Sequence, residues 1–274
     1  MIVLLTGKPG IGKTTVIEKF ISLNQQPANW VITSDIRNTA GERVGFMATN
    51  STGQKRIISH KTDIESDSII GKNHVDLLAV EVMFATTLST SGDTKLTIVD
   101  EIGPIQLLSQ TFKIALDSAF QDTSDIVATI HYKDDYLESY RSSPNALLLA
   151  VSKENRDILP PALIALTENR ATFNKLTKQQ RAKAYELLRL YAEGSQLLQI
   201  QKLANNAIHY VSNNQVSSGV DSWTVTGRHS QHKVMRNSAG HICDCDLFNG
   251  RRQYAESAGD CSHIQAVIIH ASSQ

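Results

Sequence analysis

A short glycine-rich segment near the N-terminus constrains this 274-residue chain more than any other feature. Residues Gly7 to Thr14 read G-K-P-G-I-G-K-T, after the apolar run Ile2 to Leu5 and before a helical pattern from Thr15 to Leu23. A G-x-x-x-x-G-K-[ST] loop between a strand and a helix turns its backbone N–H groups toward one place, where they can bind phosphate oxygens. The motif therefore predicts an α/β fold with this strand inside the sheet.

Four short apolar runs alternate with helix-length segments in the first part of the chain, which predicts a mainly parallel sheet. Besides the run before the glycine loop, the predicted strands are Leu96 to Val99, Asp125 to Ile130 and Leu147 to Val151. An earlier stretch breaks this alternation, because three strand-like runs are joined only by short turn sequences. These runs predict an antiparallel meander. They are Val31 to Arg37, Val44 to Thr49 and Lys55 to Ser59.

The glycine loop also assigns roles to its own residues. Glycines let successive backbone N–H groups approach a phosphate without a Cβ in the way. Lys13 is expected to reach the β- and γ-phosphates of a nucleotide, and the Thr14 hydroxyl is expected to bind Mg²⁺. The candidate nucleotide-binding residues are Gly7, Lys8, Pro9, Gly10, Ile11, Gly12, Lys13, Thr14 and Thr15.

Two acids follow the predicted strand Leu96 to Val99. Magnesium at a phosphate loop also needs a carboxylate near the end of a neighbouring strand, and Asp100 is placed to hold the ion through water. Glu101 is expected to orient and partly deprotonate the water that attacks the γ-phosphate. Lys13, Asp100 and Glu101 are therefore the candidate catalytic residues, with Thr14 and Asp100 as the magnesium ligands.

The first part of the chain, roughly 170 residues, resembles the THEP-type nucleoside triphosphatases, which are small P-loop proteins. The resemblance is carried by Gly7 to Thr15, by the meander segments Thr33 to Arg37 and Gly41 to Phe46, and by Asp100 to Leu107. It implies a P-loop NTPase sheet and slow hydrolysis of several nucleoside triphosphates, ATP and GTP among them, with little selectivity for the base. Relatives commonly have Met-Glu-Leu where this chain has Ile105-Gln106-Leu107, so one carboxylate is missing here.

Three other polar residues are weaker candidates. Arg37 or Arg156 could stabilise charge on the transferring phosphoryl group, although arginines at such positions more often lie at the surface. His131 follows the strand Asp125 to Ile130. There it could contact the γ-phosphate or simply bond to the backbone.

All three cysteines lie within 19 residues near the C-terminus. Cys243 and Cys245 form a C-x-C pair, and Cys261 and His263 form a C-x-H pair after a gap of fifteen residues. Three thiolates and one imidazole match tetrahedral Zn²⁺. Because four protein ligands leave no open position for a reactive water, this zinc is expected to organise structure and to do no chemistry.

The cysteine and histidine pattern resembles the SWIM zinc finger, which also has C-x-C, a variable gap and C-x-H. Flanking segments add to the resemblance, namely Trp223 to Val225, Lys233-Val234 and His263 to Val267. Lys233 stands where the finger usually has an aromatic residue. The resemblance implies that residues 220–271 bind nucleic acid, DNA or RNA, or a protein partner.

Changes in residue composition and apolar periodicity along the chain predict three parts of the protein. These are a P-loop nucleoside triphosphatase domain over residues 1–176, a helical connector over residues 177–212 and a zinc module over residues 220–271. The connector begins with the capping-box spacing Thr177 to Gln180. Ser212 to Val220 is rich in Ser, Asn and Gly and is expected to be a linker.

Composition indicates a folded chain in the cytoplasm. The hydrophobic fraction is 41% and the formal net charge is zero. No apolar run approaches the roughly 18 residues that a membrane-spanning helix needs, so no membrane partner is expected. The few residues before the glycine loop do not form a secretory signal, and three cysteines cannot all pair, which suits a reducing compartment.

Three hypotheses of function remain. The first is a magnesium-dependent nucleoside triphosphatase coupled to a zinc module that binds a partner. The second is a recognition module in which bound nucleotide acts as a switch and turnover is incidental. The third is a P-loop kinase for a small acceptor, which would need a basic lid after strand Ile126 to Ile130. Only Lys133 and Arg141 occur between His131 and Asn145, so this hypothesis ranks last.

Overall fold

A computed structural model describes residues 1–89, 96–121, 125–190, 197–227, 230–238, 240–245 and 261–272, with side chains except at 190 and 197–204. The chain forms two compact units, Met1–Pro160 and Pro161–Gln274. No described helix has both the length and the apolar character that crossing a membrane requires.

Within its described residues, the first unit is built on one mixed sheet of nine strands. In chain order these are β1 (Ile2–Thr6), β2 (Ala28–Arg37), β3 (Arg43–Asn50), β4 (Lys55–His60), β5 (Ile69–Ile70), β6 (Asn73–Val75), β7 (Leu96–Ile102), β8 (Ile126–Ile130) and β9 (Leu147–Ala150). The spatial order is β5-β6-β4-β3-β2-β7-β8-β1-β9. The strands from β2 to β9 in this order are parallel, and the pairs from β5 to β2 are antiparallel. The predicted α/β class and the early meander are confirmed.

Helices cover this sheet. They are α1 (Lys13–Leu23), α2 (Leu77–Val80), a π-helical turn (Glu81–Ala85), α3 (Thr86–Ser89), α4 (Gln110–Gln121) and α5 (Glu138–Arg141), with 3₁₀ turns at Gln106–Leu108 and Asp135–Leu137. Helix α1 buries Val16, Ile17 and Phe20 and packs against β7 and β8. Burying three such side chains contributes several kcal/mol, at about 1.5–3 kcal/mol each. This packing holds the start of α1 against the middle of the sheet.

The parallel register brings the carboxyl ends of four strands together. Strand β1 pairs with β8 on one side and with β9 on the other, so that Leu5 lies opposite Thr129 and Thr6 lies opposite Ala150. Strand β7 lies on the far side of β8. Ligand sites in open α/β sheets form outside this edge, and here the glycine loop leaves β1 at that edge.

The second unit combines helices with a small antiparallel sheet. Its elements are α6 (Leu159–Glu168), α7 (Arg170–Phe173), α8 (Lys178–Leu190), α9 (Leu197–Ser212), β10 (Val216–Gly219), β11 (Ser222–Thr226), β12 (Gln231–Asn237), β13 (Gly240–Cys243) and α10 (Ser262–Ala271). The four strands pair in sequence order. Helix α10 packs against α8, α9 and the four strands, which builds one core.

The structure differs from the sequence-based division in two respects. Helices α8 and α9, assigned above to a separate connector, lie inside the second unit, because α9 buries Ala207, Ile208 and Val211 and packs against α10. The linker prediction for Ser212 to Val220 is wrong over Val216–Gly219, which form β10 and pair with β11. The capping box is confirmed, since Thr177 N donates to Gln180 Oε1 at 3.0 Å and Gln180 N donates to Thr177 Oγ1 at 3.2 Å.

Candidate functional site

The glycine loop wraps around the start of α1, as its motif predicts. Gly12 caps the helix with φ 110° and, being glycine, has no side chain to accept a hydrogen bond from the first turn. The N–H groups of that turn are therefore available to a ligand. Gly7 has φ 148°, and a Cβ there would lie 3.0 Å from the Val151 carbonyl oxygen, so only glycine lets the loop approach the chain that leaves β9.

Lys13 folds back over the loop. Its Nζ donates hydrogen bonds to the Gly7 carbonyl at 3.0 Å and to the Lys8 carbonyl at 3.4 Å. These contacts hold the ammonium group against the backbone of the loop. Positive charge and N–H donors thus converge on one place at the end of β1, which suits phosphate oxygens.

Asp100 lies in β7 and is 1% exposed. Thr129 of β8 donates its hydroxyl hydrogen to Asp100 Oδ1 at 2.6 Å, and Thr33 of β2 donates to the Asp100 carbonyl oxygen at 2.8 Å. The other carboxylate oxygen, Oδ2, is buried and has no hydrogen-bond partner of normal geometry among the described residues. One oxygen of Asp100 is therefore fixed, and one is left for a ligand.

Burial raises the pKa of Asp100 to about 6. Hydrogen bonding by the hydroxyls of Thr129 and Thr14 works against this rise, the charge of Glu101 adds to it, and the charge of Lys13 again lowers the pKa. Burial disfavours the charged form of a carboxyl group, and a bound cation favours it. A cation at the free oxygen would therefore stabilise the ionised Asp100. Together with the Thr14 hydroxyl, Asp100 fits Mg²⁺, which prefers oxygen ligands.

Glu101 follows Asp100 in β7 and is partly exposed. A Cβ at Gly103 would come within 3.2 Å of Glu101 Oε1, so Gly103 leaves room for this side chain. Gln106, which stands where relatives commonly have glutamate, lies in the following 3₁₀ turn and is 2% exposed. Glu101 is therefore the accessible acid next to the buried Asp100.

Thr129 and Thr33 are contacts that the sequence reasoning missed. Threonine is common in strands, so neither residue stands out in its own segment. The available signal was Thr129 inside the run Ile126–Ile130, where every other side chain is apolar and all five residues are buried. A buried hydroxyl in such a strand needs a hydrogen-bond acceptor, and Asp100 supplies it.

The two candidate arginines lie in different surroundings. Arg37 donates to Asp35 Oδ2 at 2.6 Å and to the Gly41 carbonyl at 2.9 Å, so it is bound within the meander. Arg156 lies beside the glycine loop, where its Cδ would be 3.6 Å from a Cβ at Gly12. His131 bonds to the backbone, as its Nδ1 accepts from Lys133 N at 3.4 Å.

The second unit brings Cys243, Cys245, Cys261 and His263 together, with one potential ligand atom of each within 4.8 Å of all the others. The three cysteines are buried and form no disulfide. His263 Nδ1 is 3.7 Å from Cys243 Sγ and 4.0 Å from Cys261 Sγ. Ligand atoms around tetrahedral zinc are separated by about 3.5–3.8 Å, given usual Zn–S and Zn–N distances, so the donor set fits Zn²⁺.

Neighbouring residues hold this cluster in place. The Asp244 carboxylate accepts from Lys233 N at 3.0 Å and lies 3.2 Å from His232 Nδ1. The His232 ring stacks on the His263 ring with 4.2 Å between centroids. The C-x-C turn and the histidine are thus both tied to β12, a second set of contacts of the kind that orients metal ligands.

The cysteines in the cluster are coupled to one another. A hydrogen bond from the Cys243 thiol is the main cause of a lowered pKa at Cys261, and burial opposes it. The same hydrogen bond raises the pKa of Cys243. Cys261, at the N-terminus of α10, therefore loses its proton before Cys243.

Comparison with known proteins supports the reading of the first unit. Residues 2–164 match the family model described as NTPase. The nucleoside-triphosphatase THEP1 of Thermotoga petrophila is 34% identical over 177 residues, which are 64% of this chain and 97% of that protein. THEP1 of Methanosarcina acetivorans is 32% identical over 163 residues, covering 58% of this chain and 91% of the relative.

Two solved structures are similar as well. The crystal structure of THEP1 from Aquifex aeolicus aligns with a TM-score of 0.54 at 29% identity, over 61% of this chain and 99% of that chain. The solution structure of a human cancer-related nucleoside triphosphatase aligns with a TM-score of 0.52 at 28% identity, over 61% of this chain and 97% of that one. The chain therefore belongs to the NTPase family, and its N-terminal part is a THEP1-type nucleoside-triphosphatase domain.

Proposed function

We propose that the first unit hydrolyses nucleoside triphosphates, ATP and GTP among them, in a magnesium-dependent reaction with little base selectivity. The observation that carries this proposal is the buried Asp100 Oδ2, which has no hydrogen-bond partner of normal geometry among the described residues. The Thr14 hydroxyl and the charge of Lys13 both lower the pKa of this carboxyl group, which supports their place in the same site. A strand-end acid that served only the fold would use both of its oxygens for hydrogen bonds.

Each residue in this site has a separate task. The loop N–H groups and Lys13 bind the β- and γ-phosphate oxygens and stabilise the charge that develops as the phosphoryl group transfers. Thr14 and Asp100 would hold Mg²⁺, which when bound neutralises phosphate charge. Glu101 orients the attacking water and accepts its proton.

The kinase hypothesis lacks a free basic lid. Arg141 donates to the carbonyls of His131 and Asp134 and pairs with Glu138, at 2.6 Å. Lys133 lies over the Tyr132 ring, 5.3 Å from its centroid. Neither cation is positioned for an acceptor substrate, so hydrolysis is the better-supported reaction.

Phosphate release tests this proposal. The full chain is incubated with ATP, GTP, CTP or UTP, with Mg²⁺ or with excess chelator, and Lys13→Ala serves as the control for contaminating phosphatases. We expect release from all four nucleotides only with Mg²⁺, and a large loss in the variant. Equal rates for the wild type and Lys13→Ala would remove the basis for the assignment.

We also propose that Cys243, Cys245, Cys261 and His263 bind one structural zinc ion in a SWIM-like module. The buried cysteines, which form no disulfide, and the distances of 3.7 and 4.0 Å from His263 Nδ1 to two of their sulfurs support this assignment. Zinc held by four protein ligands supplies on the order of 10 kcal/mol to folding. Reduced thiols in such a site are consistent with a cytoplasmic location.

The proposed role of this module is to bind nucleic acid or a protein partner. Lys233 and Arg236 are exposed on β12 and could contact phosphates, whereas Arg228, Arg251 and Arg252 lie outside the described residues. Binding through these cations would be mainly to phosphates, so its affinity would fall as the salt concentration rises.

Titration of the full chain with single- and double-stranded DNA and RNA at low and physiological salt tests this role. We expect the Lys233→Ala, Arg236→Ala double variant to bind less tightly than the wild type. If nucleic acid binds neither protein and does not stimulate hydrolysis, a protein partner becomes the proposal.

A further inference from the structure

A hollow of about 270 Å³ lies beside the glycine loop, in the first unit. It is lined by Gly12, Thr15, Val16, Lys19, Arg156 and Asp157. The first four residues lie on one face of α1, because they follow the spacing 0, 3, 4 and 7 of a helix with 3.6 residues per turn. Thr14, which interacts with Asp100, is not part of this spacing and lies on a different face of α1. The hollow therefore lies to the side of the proposed metal site.

Arg156 is held in this hollow by the turn that follows β9. Asn155 is buried, accepts from Ser152 N at 2.9 Å and donates to the Ala150 carbonyl at 2.8 Å. Arg156 N donates to the Ser152 carbonyl at 3.1 Å. Because β9 pairs with β1 in parallel, this fixed turn begins next to the glycine loop that leaves β1.

Of the two basic side chains that line the hollow, only that of Arg156 is available to a ligand. Lys19 Nζ pairs with Asp157 Oδ1 at 2.8 Å, whereas the Arg156 guanidinium makes no hydrogen bond with the described residues. The Arg156 side chain lies against Gly12, where a Cβ would be 3.6 Å from its Cδ and 4.0 Å from its Nη1. A flat, uncommitted guanidinium thus borders an open space next to the phosphate loop.

We infer that this hollow binds the nucleoside half of the substrate, and that Arg156 contacts the base and not the transferring phosphoryl group. The inference rests on the proposed nucleotide hydrolysis and adds a binding subsite to it. A guanidinium plane stacks on the face of any base, which does not distinguish one base from another. The Thr15 hydroxyl and the Asp157 carboxylate can bond to ribose hydroxyls. Because stacking uses the face of the base, purine and pyrimidine nucleotides both fit.

Inorganic tripolyphosphate separates the two possible roles of Arg156, since it has the phosphate chain and no nucleoside. Dissociation constants for ATP, GTP, CTP, UTP and tripolyphosphate are measured by calorimetry with Mg²⁺, on the full chain and on Arg156→Ala and Arg156→Lys. Lys153→Ala is the matched control, because it removes an exposed cation from the same turn without lining the hollow.

We expect Arg156→Ala to weaken all four nucleotides by about tenfold and tripolyphosphate by less than about twofold, in line with the loss of one stacked base. Arg156→Lys should recover only a small part of this loss, because lysine keeps the charge and not the plane. Lys153→Ala should bind like the wild type.

Two results overturn the inference. An equal loss of nucleotide and tripolyphosphate binding would place Arg156 on the phosphates, and unchanged nucleotide binding in Arg156→Ala would remove it from the site. If the wild type binds tripolyphosphate and no nucleotide, the hollow does not take a nucleoside. If it binds neither, the proposed hydrolysis fails as well, which is a distinct outcome.

Discussion

The Thr129 hydroxyl donates to Asp100 Oδ1 at 2.6 Å, across the parallel pair β7 and β8. Both side chains are buried, so the hydrogen bond is shielded from water. It fixes the carboxylate plane and leaves Oδ2 as the oxygen available to a metal ion. A residue of the neighbouring strand therefore positions the proposed magnesium ligand.

Thr129→Val should raise the Mg²⁺ concentration for half-maximal nucleotide binding by about tenfold, because the carboxylate loses its orienting hydrogen bond. It should also cost about 1.5–3 kcal/mol of unfolding free energy, as expected for a bond to a charged group. Thr129→Ser keeps the hydroxyl and should restore most of the metal affinity. If the serine and valine variants bind Mg²⁺ equally, Thr129 has only a packing role.

Asp100→Asn should stabilise the protein at pH 7.5 without added divalent metal, while abolishing magnesium-dependent hydrolysis. Because the folded pKa, about 6, lies above the unfolded value, the folded state holds a proton that the unfolded state has lost. The wild type therefore loses stability as pH rises from about 4 to 6, by at most about 3 kcal/mol.

The asparagine variant lacks this titrating carboxyl group, so its free energy of unfolding should depend less on pH. Denaturant unfolding at pH 4.5, 5.5 and 7.5 measures both proteins. The gain should be about 1–3 kcal/mol at pH 7.5 and should fall to about a third of that at pH 4.5. A variant that is less stable than the wild type at pH 7.5 contradicts the role assigned to burial.

Lys13→Ala and Glu101→Gln should give different phenotypes. Lys13 binds phosphates, so its loss should weaken nucleotide binding and turnover together. Glu101→Gln should bind Mg²⁺ and nucleotide nearly as well as the wild type and lose about 10²–10⁴-fold in turnover, the usual contribution of a general base. Calorimetry and single-turnover phosphate release measure the two effects. Wild-type turnover by Glu101→Gln would show that another group activates the water.

The purified chain should carry one zinc ion, measured by elemental analysis of protein prepared without chelator. Cys261→Ser should release it and unfold the zinc module, because Cys261 is fully buried at the start of α10. Nucleotide binding should persist, since its residues lie in the first unit. Asp244→Asn keeps all four ligands and should lower zinc affinity by about 10- to 100-fold. If the purified protein contains no zinc, the assignment of a structural zinc site is wrong.

Much of the fold was predictable because its signals are local. The loop Gly7 to Thr14 needs glycines and a following helix within a few residues, and its strand is a short apolar run. The two cysteine and histidine pairs likewise carry their spacing within 21 residues, Cys243 to His263. Such patterns determine local backbone shape and donor chemistry without knowledge of the remaining chain, so α/β class, candidate phosphate site and candidate metal ligands followed from the sequence alone.

Only the tertiary structure decided which distant residues meet. Thr129 reaches Asp100 because β7 and β8 pair in parallel, with a shift in register between Val99 and Ile102. Arg156 reaches Gly12 because β9 pairs with β1. The helices after Thr177 joined the second unit because α9 buries Ala207, Ile208 and Val211 and packs against α10, which lies about 50 residues further along the chain. The sequence specifies the spacing of apolar residues in each helix and strand. Strand order, register and helix docking depend on how all of these elements share one core, and no single segment contains that information.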